Sequence, residues 1–203
     1  MRNSRRLGSL GFTSYSRNAE FIMANFNNVA QWVLWIEDDK KVPGKIVNLG
    51  DGGGMTRLGI TSANWTRQVP SNFFTDLAFG PAVTAAKLVA RTFFWNRFAG
   101  DQIASDIVAA PLLSFAFNFN VNTAVKTLQR AVNLQPDGVM GPLTLSAVNA
   151  INPSEVAANF RIGWAQFYRD DAAQNPAKAK FLEGWLNRVN IPYPAPGMPV
   201  FYV

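Results

Sequence analysis

The sequence predicts a mainly α-helical protein with one small β-hairpin element after its first core helix. Three observations favour this fold class. Several segments repeat apolar residues every three or four positions, which is the period of an amphipathic helix. Residues typical of helix N-termini stand just before several of these segments. Two stretches rich in Gly, Pro, Asp and Asn, residues 38–45 and 48–55, break any helix, and short β-prone pieces lie between and after them.

The predicted elements follow in order along the chain. Residues 26–37 form the first amphipathic helix, and residues 45–49 and 56–61 supply a small hairpin or irregular loop system. The apolar segment 107–117 is interpreted as a buried core element. Further helices are predicted at 82–95, 122–133 with an Asn122 or Thr123 cap, from Pro142 onward, at 153–171 with a Ser154 cap, and at 177–189. The Pro-rich tail after residue 190 is expected to be extended and docked by its aromatic side chains.

The composition excludes several kinds of chemistry. The chain contains no cysteine and no histidine. Disulfides, thiolate nucleophiles, Ser-His-Asp catalysis and histidine-based metal sites are therefore excluded. Any catalysis must use carboxylates, hydroxyls, amines or backbone donors, which favours a carboxylate hydrolase among the enzyme classes. We predict no metal and no cofactor.

The net charge of +6 has two interpretations. It favours an anionic partner such as nucleic acid, acidic lipid or the bacterial cell wall, or it serves solubility alone. No basic helix or aromatic-basic strand motif supports nucleic-acid binding. The chain also lacks an apolar run of about 18 residues, so no membrane span is predicted.

Glu37 ends the apolar stretch "WVLWIEDDK" and raises the question of function. At about 100° per residue, Glu37 falls in line with Phe26, Ala30 and Val33 on the apolar stripe of the first helix. One interpretation is a helix-ending acid that has turned towards solvent. The other is a general acid, because an apolar setting favours the protonated carboxyl group. Spacing alone does not choose between them.

A glycine-rich loop follows this acid. The stretch "LGDGGGMTRLGIT" (49–61) places three glycines between Asp51 and Thr56. Glycine permits positive φ and close approach of the backbone, which suits a tight loop beside a polymeric ligand. On this ground Gly53 and Gly54 are candidate substrate-binding residues. The loop lacks the spacing of nucleotide-binding motifs.

Several motifs in this order resemble those of glycoside hydrolase family 108, the phage and bacterial muramidases. The chain carries Glu37, then "DGGGMT" and "LGIT", with Trp95 in "FFW" further on. The segment 112–148 resembles the family's junction into a peptidoglycan-binding-type region, and "RIGWAQFYRD…FLEGWLNRV" (161–189) is similar to its closing motif. One departure is that Asp38 and Asp39 replace the two glycines that follow the family's acid.

The resemblance implies a lysozyme-like fold and hydrolysis of the β-1,4 bond between N-acetylmuramic acid and N-acetylglucosamine. Glu37 would protonate the leaving oxygen, Asp51 would be the second carboxylate, and Thr56 would orient a water molecule. The alternatives are that Asp51 caps the loop and that the Thr56 hydroxyl bonds only to backbone. Trp95 and Asn118 are predicted to contact substrate. Trp65 is an alternative aromatic for the cleft, whereas Trp164 and Trp185 are expected in the core.

Four regions are predicted: an Arg-rich arm (1–24), a lysozyme-like catalytic lobe (25–118), a helical peptidoglycan-binding-type lobe (119–190) and a Pro/aromatic tail (191–203). The first 24 residues lack the apolar segment of a signal peptide. We therefore expect synthesis in a host cytoplasm and action at the bacterial wall, in phage lysis or as a virion-associated lysin. In the second case the arm would contact other tail or virion proteins. An alternative is a structural or wall-binding protein that has lost catalysis.

Overall fold

Helices dominate the described residues (23–38, 41–48, 50 and 52–198) of the computed structural model. The α-helices are α1 (Phe26–Glu37), α2 (Ser62–Trp65), α3 (Phe79–Phe93), α4 (Asp106–Asn118), α5 (Val121–Ala131), α6 (Pro142–Ala150), α7 (Pro153–Gln174) and α8 (Leu182–Val189). The strands are β1 (Val47–Asn48), β2 (Met55–Arg57) and β3 (Ile60–Thr61). Short 3₁₀ helices span Trp95–Phe98, Gly100–Gln102 and Pro176–Phe181. The predicted fold class, mainly α and lysozyme-like with one small β element, is confirmed.

The β element is a three-stranded antiparallel sheet in the order β1-β2-β3. Thr56 on β2 lies opposite Val47 on one side and Thr61 on the other. The turn between β2 and β3 consists of Leu58 and Gly59, both with positive φ. Positive φ at both central residues gives a turn whose twist matches that of the flanking strands. The sheet therefore holds this turn in a fixed position after α1.

Helix α4 lies at the centre of the core. Its residues 108–116 are all buried, and α1, α5 and α7 pack around it. Phe115 of α4 stacks on Trp164 of α7 with ring centroids 5.2 Å apart. The predicted burial of segment 107–117 is confirmed apart from its ends. Because one continuous cluster of buried side chains joins all these helices, the division into lobes at residue 118 stays a prediction.

Two predicted helix caps are wrong. The cap of α5 is Asn120, whose side chain accepts a hydrogen bond from the Thr123 backbone N–H at 2.8 Å. The cap of α7 is Asn152, which accepts from the Ser154 N–H at 2.9 Å. In both places an asparagine two or three residues earlier offers the same acceptor chemistry as the predicted residue. The prediction that Pro142 occupies the first helical position of α6 is confirmed.

The Gln129 side chain joins α5 to the turn before α6 and to α6 itself. Its buried amide nitrogen donates to Asp137 Oδ1 at 2.6 Å and to Thr144 Oγ1 at 3.1 Å. Its amide oxygen accepts from the Gly138 N–H at 2.9 Å. One side chain thus binds two groups of the turn that precedes α6 and one hydroxyl within α6. These hydrogen bonds fasten α5 to α6.

The tail folds back onto α1. Trp32 Nε1 donates to the Pro192 carbonyl at 2.8 Å, and the Tyr193 hydroxyl donates to Asp106 Oδ2 at 2.7 Å. The Tyr193 ring packs edge-on against Trp32. Residues 1–22 of the Arg-rich arm and residues 199–203 of the tail lie outside the described residues. Among the helices that are described, none has the length and hydropathy to cross a membrane.

Candidate functional site

Glu37 is the last residue of α1, and its side chain turns inward. Helix α1 begins at an Asn25 cap and buries Val29, Trp32 and Val33 against the core. The Glu37 side chain lies beside the β2–β3 turn, where a Cβ atom on Gly59 would come within 2.8 Å of Glu37 Cγ. Only 9% of the Glu37 side chain is exposed. The carboxylate is therefore held between a helix end and a tight turn, not extended into solvent.

Arg188 of α8 forms an ion pair with this carboxylate. Its two terminal nitrogens donate to the two Glu37 oxygens, and the Nη2–Oε2 distance is 3.1 Å. The Arg188 side chain is 18% exposed, so both partners are largely removed from water. Burial lowers the pKa of Arg188, but the Glu37 charge and its hydrogen bonds outweigh burial, and the net pKa is raised. The guanidinium therefore stays positive and donates two charge-assisted hydrogen bonds to the Glu37 carboxylate.

Tyr168 and Asn118 form the adjoining wall of the site. The Tyr168 hydroxyl donates to Asn118 Oδ1 at 2.6 Å, and its ring stacks on Trp185 at a centroid distance of 4.9 Å. Burial of the hydroxyl raises the pKa of Tyr168 to about 12. The phenol therefore remains neutral around pH 7. Its hydrogen bond orients the amide of Asn118, an exposed residue at the end of α4.

The Asp38 side chain hydrogen-bonds to the loop that follows α1. Its Oδ2 accepts the Gly44 N–H at 2.7 Å, and the residue is buried. Arg57 donates to the Gly44 carbonyl at 2.8 Å and to the Phe73 carbonyl at 3.0 Å. Burial lowers the pKa of Arg57, and the Asp38 charge opposes this shift. The acid that replaces the family's first glycine is therefore a structural anchor for the segment between α1 and the sheet.

The comparisons with known proteins concern the segment that supplies Arg188 and most of the chain as a whole. Residues 123–190 match the family model of a predicted peptidoglycan domain. The chain is also similar to the structure of Brucella abortus SagA, with 28% sequence identity and a TM-score of 0.63, over 81% of this chain and 88% of that chain. A search of curated proteins found no match. This is a peptidoglycan-associated protein.

Thr56 is not joined to Glu37 by a hydrogen bond in the part of the chain that the structure describes. Thr56 is half-buried on β2, and the polar contacts of the Glu37 side chain there go to Arg188. Asp51 lies outside the described residues. The catalytic roles of Thr56 and Asp51 therefore stay predictions.

The predicted glycines are packed against the start of α2. A Cβ atom on Gly54, which has a φ of +71°, would come within 2.4 Å of Ser62 Oγ. The Gly53 carbonyl accepts the Ala63 N–H at 3.2 Å, and Ser62 Oγ accepts the Met55 N–H at 2.9 Å. The need for glycine at position 54 is thus explained by loop packing, and substrate contact by either glycine stays a prediction.

Trp95 does not line a cleft. The residue is fully buried, and the backbone of Gly100 lies so close that a Cβ atom there would be 2.3 Å from the indole ring. Phe26 packs edge-on at 5.3 Å, and the indole nitrogen donates to Asp101 at 3.0 Å. The prediction that Trp95 contacts substrate is therefore wrong, because protein atoms cover the ring. Trp65 remains half-buried against Phe93, and Trp164 is in the core as predicted.

Sequence reasoning assigned no role to Arg188 or Tyr168. Both lie in the closing motif "RIGWAQFYRD…FLEGWLNRV", so the resemblance marked them without indicating why. Tyr168 continues the apolar stripe of α7 four residues after Trp164, which was the one local signal that it points inward. An arginine separated from its partner by 151 positions gives no local signal.

We expect Gly59→Ala to destabilise the protein more than Gly52→Ala. Both glycines have positive φ, but a Cβ atom at Gly59 would lie 2.7 Å from Phe117 and 2.8 Å from Glu37. A Cβ atom at Gly52 would have no neighbouring atom within 4 Å. Left-handed strain alone costs roughly 1 kcal/mol, and overpacking adds about 1–3 kcal/mol. Urea unfolding of the two variants measures the difference. Equal losses would show that the turn does not press on Glu37.

Proposed function

We propose that the protein is a peptidoglycan hydrolase of the family 108 muramidase type, which cleaves the β-1,4 bond between N-acetylmuramic acid and N-acetylglucosamine. The observation that carries this proposal is the shielded carboxylate of Glu37. It stands at the end of α1, and its partner Arg188 comes from the region that matches a predicted peptidoglycan domain. A carboxyl group in such a setting suits proton transfer to a glycosidic oxygen.

In this mechanism Glu37 donates a proton to the leaving oxygen and becomes a carboxylate. Arg188 stabilises the negative charge that develops on Glu37 as the proton leaves. This interaction is stronger in the transition state than with the neutral starting acid, so it lowers the barrier. The protonated state requires the guanidinium to release one carboxylate oxygen, because the observed contact engages both. Substrate binding beside Gly59 would bring about this change from a two-point to a one-point contact.

A second group must supply or position water, or stabilise the oxocarbenium-like transition state. We assign this role to Asp51, with Thr56 orienting the water. Both follow Glu37 on the loop and strand that lead into the β2–β3 turn. Asn118, oriented by Tyr168, is the group that we expect to hydrogen-bond a sugar substituent.

The test is mass spectrometry of the soluble fragments released from purified peptidoglycan. We expect fragments that end in reducing N-acetylmuramic acid. Reducing N-acetylglucosamine ends would identify the other glycosidic bond, and fragments without new reducing ends would identify peptide or amide cleavage. Either result contradicts the proposed reaction.

A second candidate is a wall-binding protein without catalysis. The specific observation in its favour is that Arg188 already engages both oxygens of the Glu37 carboxylate. This candidate predicts sedimentation with peptidoglycan but no release of fragments. The same digestion therefore separates the two functions.

We further propose that the protein acts at the bacterial wall in phage lysis or as a virion-associated lysin. The family resemblance supports this role, and the Arg-rich residues 2–17 would supply contacts to other virion proteins. Proteomic analysis of purified particles tests the virion placement. If the protein is absent from the particles, the virion placement is wrong and only the role in phage lysis remains.

A further inference from the structure

A second concave surface lies along the face of α7 next to the one that carries Trp164 and Tyr168. It is an open groove of about 820 Å³ between α5 and α7. Both helices lie within or at the edge of residues 123–190, the segment that matches a predicted peptidoglycan domain. A volume in this range is typical of ligand-binding clefts. The mechanism proposed above does not use this groove.

The groove has an apolar floor. Gly163 of α7 faces Thr127 of α5 so closely that a Cβ atom would stand 3.0 Å from the threonine methyl group. Phe119 and Phe167 meet edge to face at 4.6 Å at one end. Ile162 is 69% exposed at the rim and extends the apolar surface of the floor. Ligand carbon atoms would therefore find apolar partners along the groove.

Neutral amide side chains supply much of the polar lining. Asn133, Asn159, Gln166 and Gln174 line the groove. Amides both donate and accept hydrogen bonds, which suits hydroxyl and acetamido groups better than it suits ions. The Gln166 amide also donates to Asp170 at 2.8 Å, which fixes its orientation. The acid Asp171 is already engaged by Lys178 at 3.0 Å.

We propose that the α5–α7 groove binds the glycan strand of peptidoglycan as a site separate from Glu37. The proposal rests on peptidoglycan as the ligand but not on its hydrolysis. Two pairs of neighbouring residues connect the sites: Asn118 faces Tyr168 beside Glu37, while Phe119 faces Phe167 in the groove. A bound strand would thus be held next to the helix ends that carry the candidate catalytic residues.

The test measures binding of the full chain to insoluble sacculi by sedimentation, in a Glu37→Gln background that prevents digestion. We expect Ile162→Glu to weaken binding about tenfold, because it places a charge on the apolar rim. The matched control is Leu88→Glu, which changes an equally exposed residue (62%) on α3. Asn159→Ala should also weaken binding, with the exposed Asn96→Ala as its control. Circular dichroism and thermal unfolding establish that all four variants fold.

Sacculi stripped of their stem peptides by an amidase serve as the second probe. Retained binding that is still sensitive to Ile162→Glu supports recognition of the glycan. Loss of binding to the stripped sacculi would show that the groove recognises the stem peptide, and this would overturn the proposal. Equal binding by the groove variants and their controls would also overturn it, as would a dimer in light scattering that Ile162→Glu dissociates. Groove-dependent binding by a protein that releases no fragments would support this inference while the proposed hydrolysis fails.

Discussion

Replacing Glu37 by glutamine is expected to reduce peptidoglycan clearing by about 10²- to 10⁴-fold. Glutamine keeps the size of the side chain and still accepts a hydrogen bond from Arg188, but it cannot donate an acidic proton to a glycosidic oxygen. The measurement is the loss of turbidity of a peptidoglycan suspension at equal protein concentration. Because Glu37 is 9% exposed and paired, thermal unfolding must confirm that the variant remains folded at the assay temperature.

The matched control for this experiment is Glu183→Gln. Glu183 is exposed on α8, the helix that also carries Arg188, so the change in charge is identical but lies outside the site. We expect the control to clear at the wild-type rate. Equal clearing by both variants would remove Glu37 from the mechanism. Loss of activity in both would point to the overall charge instead of the carboxylate at position 37.

Arg188→Met is expected to lower the free energy of unfolding by about 3–5 kcal/mol. The substitution leaves a largely buried carboxylate without its cationic partner, and the cost of that unpaired charge exceeds the loss of the contact itself. Urea unfolding at neutral pH measures the effect. The double variant Glu37→Leu with Arg188→Met should recover most of the loss, because it removes both charges together.

Lys178→Met provides the comparison for this prediction. Lys178 pairs with Asp171 at 3.0 Å, but its side chain is 45% exposed. Exposed pairs contribute about 0–1 kcal/mol, so this substitution should have a small effect. If Arg188→Met were no more damaging than Lys178→Met, the pair with Glu37 would be a surface contact without energetic weight. A double variant as unstable as Arg188→Met alone would indicate that packing by the arginine stem dominates.

Local patterns predicted the architecture well because they are caused locally. The bounds of α1 and the hairpin after it follow from an apolar stripe, an asparagine cap and a cluster of glycines. The caps of α5 and α7 were placed two or three residues late because several neighbouring side chains offer equivalent acceptors. Sequence alone gives little basis for choosing among adjacent Asn, Ser and Thr residues.

The site was predicted less completely because its contacts are non-local. Glu37 was visible as an acid on an apolar stripe, but its ion pair joins positions 151 residues apart. Trp95 was misjudged because nothing in the helical period reveals that Gly100 closes over the indole. Nothing in the sequence indicated the binding partner of the Asp38 side chain, since that partner is a backbone N–H in the following loop. Tertiary packing decides each of these cases.

The ion pair between α1 and α8 also has a consequence for how the protein is made. During synthesis Glu37 emerges from the ribosome long before Arg188, so a partly translated chain carries the acid without its partner. The carboxylate reaches its final surroundings only when α8, the last α-helix that the structure describes, has docked. The early helices therefore cannot assemble this site by themselves. The Glu37–Arg188 pair therefore forms only after the segment that matches the predicted peptidoglycan domain has been synthesised.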